Sequence, residues 1–465
     1  MPSLSRLSFL CSLLFCATAT GAPMEGRLEL IWGDSDPVAG LGSQFRVTLV
    51  DDAGLRYSLD PAQARIGAGD IYALAGKRVA VELGAPATPQ GLAVDAIVAT
   101  DTERSGTLPA VAGTTVWATL LCKFSDIPTE QKPLSFFTGQ YGNNPGQLDH
   151  YWREVSYNKI NLVGSAAYGW FTLPQPRSFY VPEGGSANLN KLFDDCTAAA
   201  NASVNFAANG GLQGVNMMFN GDLDGFAWGG GRCATLDGIN KCWSSTWNPP
   251  WSFNNSAPLS HEMGHAYGLP HANNSDGDSD PYDNPWDVMS DAWSNAASDA
   301  TYGKIAKHIS VWSRDKLVFI DAARKRTIEA DGVYPNLLLD RASLIGSTNL
   351  QMIVVRVAGA ASTQFYTIEA RKRGGKYESA LAGDAVIIHS VNTTRSEPAW
   401  SVDATNPPAT VANNEGSMFK VGETWTAPNN GFTITVNAAT AEGFNVTITR
   451  GAVGNDLIFR GGFQP

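Results

Sequence analysis

Three of the chain's six histidines fall within one run of eleven residues that also carries a glutamate and a glycine. The run reads H-E-x-x-H-x-x-G-x-x-H, with His261, Glu262, His265, Gly268 and His271 at the named positions. Imidazole nitrogens are common zinc ligands, and a site with three protein ligands keeps one coordination position for water. The run therefore predicts a zinc site in which His261, His265 and His271 bind Zn²⁺.

The spacing also predicts how the backbone brings these side chains together. His261 and His265 are four residues apart, so on a helix both project from the same face. Gly268 suits a left-handed helix end, and the proline two residues later cannot continue a helix, so the chain should turn there and return His271 to the ion. Glu262 fits a general base that takes a proton from a zinc-bound water, a group that a structural zinc does not need. The pattern therefore indicates metal-assisted hydrolysis.

A methionine follows downstream, in the segment Trp286-Asp287-Val288-Met289-Ser290. The elongated histidine motif followed by a methionine-bearing turn defines the metzincins, and the chain resembles them here. The resemblance implies that Met289 forms an apolar floor beneath the zinc without binding it; ordinary core packing is the alternative role. Asp291 stands where an astacin-type tyrosine ligand would lie, so that ligand is absent.

Several short segments around the histidine run carry a further pattern. They are Phe124-Ser125-Asp126, Asp149 to Tyr157, Gly169-Trp170, Pro285 to Met289, Phe365 to Arg371 and Ala385 to His389. In these segments, over roughly residues 115–450, the chain resembles the secreted metallopeptidases typified by gametolysin and immune inhibitor A. Immune inhibitor A proteins tend to carry an aspartate at the position of His271, so the gametolysin side fits better. The resemblance implies proteolysis without fixing the substrate.

Composition and the N-terminus narrow the class of protein. Of 465 residues, 43% are hydrophobic and 17% charged, which suits a globular chain of two to four domains. The net charge of −11 argues against nucleic acid as the main partner. Arg6, the apolar stretch Leu7 to Cys16 and the small residues Ala17-Thr18-Ala19 predict a signal peptide over residues 1–22. No later apolar run is long enough for a transmembrane segment, so we expect a secreted, extracellular protein.

Four cysteines remain after the signal segment, an even number that suits disulfides in an oxidising compartment. Three pairings are open. We favour Cys233–Cys242, which closes a short loop, together with Cys122–Cys196. No C-x-x-C pair supports a cysteine zinc site, and residues 23–121 contain no cysteine that could serve as a prodomain ligand to zinc.

The strand and helix patterns predict an α+β chain of several domains. Residues 23–112 read as a small β domain, either a prodomain or an accessory module. Residues 113–325 read as the catalytic domain, a twisted sheet with helices packed on it, including a helix over Leu148 to Val155. Residues 326–451 read as a β-sandwich-like domain, and residues 452–465 as a tail. The resemblance implies that the middle domain is a metzincin-like zincin, with the active-site helix packed on the twisted sheet.

An acidic loop follows the histidine run. Asp276, Asp278 and Asp280 alternate with small residues in a loop that contains a glycine. Carboxylates in such a loop supply the hard oxygen ligands that Ca²⁺ prefers, although the terminal glutamate of an EF-hand is missing. A solvated acidic loop is the alternative, so Ca²⁺ is a second candidate cofactor beside Zn²⁺.

These features together predict a secreted zinc-dependent endopeptidase that acts on a protein or peptide substrate, with Glu262 as the catalytic residue. The rival hypothesis is an extracellular adhesin or glycan-binding protein on a metzincin scaffold. The tryptophan-rich run that contains Trp243, Trp247 and Trp251 motivates this rival, because it could line a binding cleft. The presence of Glu262 favours the enzyme, since a binding module has no need of a general base.

Overall fold

The computed structural model describes residues 22–37, 40–100, 111–278, 280–405 and 415–451. The predicted tail and all but the last residue of the predicted signal segment lie outside these ranges. Within them the chain is a multi-sheet α+β protein with few helices. No helix of the described ranges is long and apolar enough to cross a bilayer.

The N-terminal region combines five strands with one short helix. Asp60 caps this helix, because its carboxylate accepts hydrogen bonds from the backbone nitrogens of Ala62 and Gln63 at 2.9 and 3.0 Å. The buried face of the helix carries Ala64 into the core of the region. The elements are β1 (Met24–Ser35), β2 (Gln44–Val50), β3 (Arg56–Leu59), α1 (Pro61–Ala68), β4 (Arg78–Leu83) and β5 (Val94–Ala99).

The middle region alternates strands and helices up to the helix that carries the histidine motif. One of its helices spans Leu148–Val155, the bounds that the sequence pattern predicts. The elements are β6 (Gly113–Thr114), β7 (Trp117–Lys123), α2 (Leu134–Gln140), α3 (Leu148–Val155), β8 (Ile160–Asn161), β9 (Ala166–Thr172), α4 (Arg177–Tyr180), α5 (Leu189–Ala200), β10 (Gly214–Phe219), β11 (Phe226–Leu236), β12 (Ile239–Asn248), α6 (Pro250–Phe253) and α7 (Ser256–Ala266).

One ten-stranded sheet joins the N-terminal and middle regions, where the sequence predicts a separate small β domain. The main strand order is β3-β2-β1-β11-β12-β10-β7-β9, and β4 and β5 extend from β1. Strands β9, β7, β10 and β12 run parallel, whereas β11 is antiparallel to β12 and to β1. The alternation at Arg27 to Ile31 suggests a strand with one solvated face, but residues 28–34 are all buried. This strand therefore lies inside the molecule, next to β11, on which α7 packs.

The chain after α7 builds two packed sheets. β13 directly follows His271 and pairs with β21, so the histidine motif is tied to the C-terminal region. A six-stranded sheet, β13-β21-β20-β19-β18-β16, and a four-stranded sheet, β17-β24-β23-β22, share one apolar core, which is the layering of a sandwich. The elements are β13 (Ala272–Asn274), β14 (Ser298–Asp299), β15 (Gly303–Lys304), α8 (Val311–Lys316), β16 (Lys325–Ile328), β17 (Gly332–Asp340), β18 (Met352–Val355), β19 (Gln364–Arg371), β20 (Ala385–Asn392), β21 (Ala399–Ser401), β22 (Thr424–Thr426), β23 (Phe432–Ala439) and β24 (Gly443–Arg450).

The described part of the chain contains two disulfides, with the pairing that the sequence analysis favours. Cys122 of β7 is bonded to Cys196 of α5, so this bond fixes a helix to the central sheet. Cys233 and Cys242 face each other across the β11–β12 hairpin and are bonded there. Both bonds therefore brace the sheet on which α7 packs.

Candidate metal centre

The helix α7 is buried over its whole length and packs on β11 and β12. Ser256 is its first residue, not its cap as its residue type suggests. Asn255 holds the cap position without capping, because its side-chain oxygen accepts a hydrogen bond from Lys304 N at 2.9 Å. The helix ends as the sequence predicts: Gly268 has a φ of 93°, and Leu269 N donates to Gly264 O at 3.0 Å. This turn sends the chain back toward the helix face.

The three predicted ligand histidines converge. His265 Nε2 lies 3.0 Å from His261 Nε2 and 3.1 Å from His271 Nε2. His261 Nδ1 donates to the carbonyl of Val288 at 2.5 Å, and His265 Nδ1 donates to the carbonyl of Leu269 at 2.7 Å. A carbonyl only accepts, so each of these two rings uses its Nδ1–H for this bond and turns Nε2 toward the cluster. Burial lowers the pKa of His265 to about 3, which keeps this ring neutral near pH 7.

A carboxylate that the sequence analysis does not identify completes the cluster. Asp34, in β1, places Oδ1 2.6 Å from His271 Nε2 and Oδ2 3.3 and 3.2 Å from the Nε2 atoms of His261 and His265. Its Oδ1 also accepts a hydrogen bond from the Tyr282 hydroxyl at 2.8 Å. Asp34 and His271 are 237 residues apart, and no local pattern in the sequence links them. Asp34 therefore adds a carboxylate to the group of three imidazoles.

These four side chains fit a zinc ion. Tetrahedral ligands at zinc–nitrogen distances lie about 3.3 Å from one another, close to the separations seen among the three rings. Lone pairs that face one another in a buried space repel unless a cation lies between them. Asp34 Oδ2 is buried without a hydrogen-bond partner, which is also the state of a metal ligand before its ion is added. The donor set, imidazole with a carboxylate, is one that Zn²⁺ accepts.

Glu262 is placed beside this cluster as the predicted general base. Its side chain is 1% exposed, and Oε2 has no hydrogen-bond partner. The absence of a side chain at Gly229 makes room for it, because a Cβ there would overlap the Glu262 carboxylate and backbone. Burial raises the pKa of Glu262 well above its ordinary value, and the nearby Asp34 raises it further. A carboxyl group in this setting binds a proton readily.

Met289 packs against α7, and its role as a floor beneath a zinc ion stays a prediction. Its sulfur packs against Gly264, where an added Cβ would overlap it. The Met289 backbone is held on both sides, since its carbonyl accepts from Ala272 N at 3.0 Å and its nitrogen donates to Asp287 Oδ1 at 2.9 Å. The preceding carbonyl, of Val288, orients His261. The turn therefore fixes the site from below and contributes no ligand.

A cavity of about 600 Å³ opens beside Glu262 and His261. Trp251 is the one residue of the tryptophan-rich run that lines this cavity. Trp293 lines it as well, and the ring centroids of Trp251 and Trp293 are 6.5 Å apart. The other large aromatic side chains of the run lie in the core with no exposed surface; they are Trp243, Trp247 and Phe253. The run is therefore mainly core packing, with one residue left for a binding cleft.

The acidic loop forms a second cluster, but with a different membership from the predicted one. Ligand oxygens of Asp276, Asp278 and Asp283 lie within 4.8 Å of one another, and Asp280 does not join them. Asp280 instead accepts a hydrogen bond from the backbone nitrogen of Tyr282 at 3.0 Å. Asp283 is 9% exposed and its Oδ2 has no partner. Calcium binding here stays a prediction, now with Asp283 in the place of Asp280.

Comparison with known proteins gives little beyond this geometry. No protein-family model and no curated protein matches the chain. Catalytically inactive OgpA from Akkermansia muciniphila, solved with an O-glycopeptide substrate (glycodrosocin), is similar at 11% identity over 70% of this chain and 87% of that one, with a TM-score of 0.26. Wild-type OgpA from the same organism is similar at 11% identity over 62% and 92% of the two chains, with a TM-score of 0.25. At these scores the likeness carries no argument about function.

Proposed function

We propose that this chain is a secreted zinc-dependent endopeptidase of the metzincin type. The observation that carries the proposal is the convergence of three Nε2 atoms beside a buried, unpartnered glutamate at the wall of a cavity. His261, His265 and His271 would hold Zn²⁺. When bound, Zn²⁺ supplies a Lewis acid that acidifies water and polarises a carbonyl group.

The protein's own residues supply the proton transfers. Glu262 Oε2 accepts a proton as water adds to the scissile carbonyl carbon, and it then delivers that proton to the leaving amide nitrogen as the C–N bond breaks. Its burial suits both roles, since a carboxyl group with a raised pKa holds the proton between the two steps. The cavity lined by Trp251 and Trp293 offers an apolar site for a substrate side chain.

A peptide is the substrate class that the neighbouring sheet suits best. β11 passes beside the histidine cluster, and its edge there is paired with a strand, β1, in the antiparallel sense. A sheet edge binds an extended peptide through the same backbone hydrogen bonds. A glycan has no such regular backbone donors and acceptors. The alternative hypothesis of a glycan-binding protein is weakened, because most side chains of the tryptophan-rich run are buried in the core and cannot contact a glycan.

Hydrolysis of a short fluorogenic peptide, small enough to enter the cavity beside Glu262, tests this proposal. Because Asp34 lies on the ligand cluster and β1 stays paired with β11, the assay uses the full chain with Asp34→Ala as well as the native chain. We expect the variant to hydrolyse this peptide, to stop after dialysis against 1,10-phenanthroline, and to recover with added Zn²⁺. Adding Glu262→Gln should lower the rate by at least ~100-fold with zinc still bound. A zinc-loaded Asp34→Ala chain that does not hydrolyse the short peptide would contradict the proposal.

A further inference from the structure

We propose that β1 holds the metal centre shut in the intact chain, with Asp34 as the fourth ligand. This inference rests on the proposed function, since it describes how the same site is regulated. It makes the intact chain a latent form, and it assigns the N-terminal region the role of an inhibitory segment.

The contacts of Asp34 are those of a ligand. Both carboxylate oxygens face the three histidine nitrogens, at 2.6, 3.2 and 3.3 Å. The Tyr282 hydroxyl donates to Oδ1 and so fixes the carboxylate on the cluster. A carboxylate in this place excludes the water on which hydrolysis depends, because it takes the open coordination position.

The residues around Asp34 are shaped for this position. The Trp32 ring is stacked on the His265 ring, with centroids 4.8 Å apart and an interplanar angle of 7°. Gly33 is pressed on Trp228, where any Cβ would overlap the indole. On the partner strand β11, Gly230 has a φ of 154° and leaves room for the carbonyl of Leu30. Close approach of β1 to the site is therefore built into both strands.

β1 also covers the sheet edge that an extended substrate would use. Residues Ile31 to Ser35 pair with β11 in register from Gly230 to Phe226, alongside the histidine cluster. With these pairs formed, the backbone groups of β11 have no free edge for a second peptide. One segment therefore blocks both the ligand position and the strand position.

A permanent structural zinc site is the competing explanation of the same contacts. Such a site would be closed by Asp34 and would have no use for Glu262. Yet Glu262 is buried next to the cluster with an unpartnered Oε2, an arrangement that costs stability. A hydrolytic site needs the Glu262 carboxylate as a general base once Asp34 has left the cluster, so its presence favours a latent enzyme over a structural zinc site.

The strand cannot leave by a small local movement. β1 is hydrogen-bonded to β2 and β4 as well as to β11. Glu29 on the same strand is 1% exposed, pairs with Arg56, and accepts a hydrogen bond from Cys233 N at 2.8 Å. Release of Asp34 therefore requires removal or displacement of the whole strand, so the latent state should persist under native conditions.

Binding of acetohydroxamate to the zinc-loaded full chain tests the inference without relying on catalysis. Hydroxamates bind zinc through the open position, so titration calorimetry on the native chain and on Asp34→Ala reports whether that position is free. We expect at least ~100-fold tighter binding to Asp34→Ala. Asp52→Ala, which removes an exposed carboxylate of the same region, should bind like the native chain.

The two proposals fail in different ways in this experiment. Equal binding of acetohydroxamate to the native chain and to Asp34→Ala would overturn latency, whatever the chain does to a peptide. An Asp34→Ala chain that binds acetohydroxamate but does not hydrolyse a short peptide small enough to enter the cavity would leave latency standing and overturn the peptidase. Zinc content and thermal unfolding check the fold of each variant. If Asp34→Ala does not fold, Asp34→Asn keeps the side-chain volume, and native-like weak binding by a folded Asp34→Asn chain would equally overturn latency.

Discussion

The substitution Gly264→Ala has two opposing effects on stability: alanine favours the helix, but its methyl group crowds Met289. Replacing a helix-interior glycine by alanine ordinarily stabilises a protein by about 1 kcal/mol. Here the added methyl group would overlap the Met289 sulfur, which is fully buried. Overpacking of this kind costs about 1–3 kcal/mol. Since the Met289 backbone is fixed by hydrogen bonds on both sides, we expect the cost to outweigh the gain, with a net loss of up to about 2 kcal/mol.

The same substitution should weaken zinc binding. Val288 precedes Met289, and its carbonyl orients His261, so a displaced turn misdirects one ligand. Loss of such a supporting contact typically lowers metal affinity by about 10- to 100-fold. Urea unfolding measures the first effect, and competition with a chromophoric zinc chelator measures the second.

Two controls make this result interpretable. Gly231→Ala adds a Cβ in open space within β11, so it should leave the zinc affinity unchanged and show only the ordinary gain of about 0.5–1 kcal/mol for alanine over glycine. In the double variant Gly264→Ala/Met289→Ala the overlap is gone, so its loss of stability should be smaller than the sum of the two single losses. A Gly264→Ala chain that is about 1 kcal/mol more stable, with unchanged zinc affinity, would refute the placement of Met289.

Three other predictions address stability and the second metal. Cys122→Ser/Cys196→Ser opens a crosslink across 74 residues and should lower the free energy of unfolding by about 4 kcal/mol, against about 2.6 kcal/mol for the disulfide across 9 residues; equal losses in urea titrations would contradict the loop-length argument. Burial raises the pKa of Glu369 to about 7 despite the nearby Arg371, so the folded state binds a proton that the unfolded state has lost. The stability that Glu369 contributes is fully present below pH 4.5 and falls by up to about 3 kcal/mol as the pH rises through 7. Glu369→Gln should flatten this dependence of the unfolding free energy on pH, and an unchanged dependence would refute the assignment to Glu369. Ca²⁺ at 100 times its Kd should stabilise the native chain by about 2.7 kcal/mol and Asp283→Asn much less; equal shifts in thermal unfolding would count against the acidic loop.

Local patterns carry much of the site and of the individual elements. The four-residue spacing of His261 and His265, with Gly268 after them, predicts both the helix and the turn that the structure contains. The pattern over Leu148 to Val155 likewise predicts the helix α3, which has the same bounds in the structure. These features depend on backbone geometry within a few residues, which sequence spacing encodes directly.

Pairing between strands that are far apart in the chain could not be predicted from the sequence. Asp34 joins the cluster because β1 pairs with β11, and nothing near Asp34 in the chain indicates that partner. The acidic loop shows the same limit at shorter range, since Asp283 replaces Asp280 when the loop folds back on itself. The start of α7 shows this limit as well, because the Asn255 side chain accepts a hydrogen bond from Lys304 N of the distant strand β15 and does not cap the helix.

X-ray absorption at the zinc edge tests the central claim most directly. On the purified full chain with one equivalent of Zn²⁺, we expect three imidazole nitrogens at about 2.0–2.1 Å and one oxygen at a similar distance. His265→Ala should remove one nitrogen from that shell and lower the affinity for Zn²⁺. A chain that binds no Zn²⁺, or that keeps the same shell of ligands in the His265→Ala variant, would contradict the account.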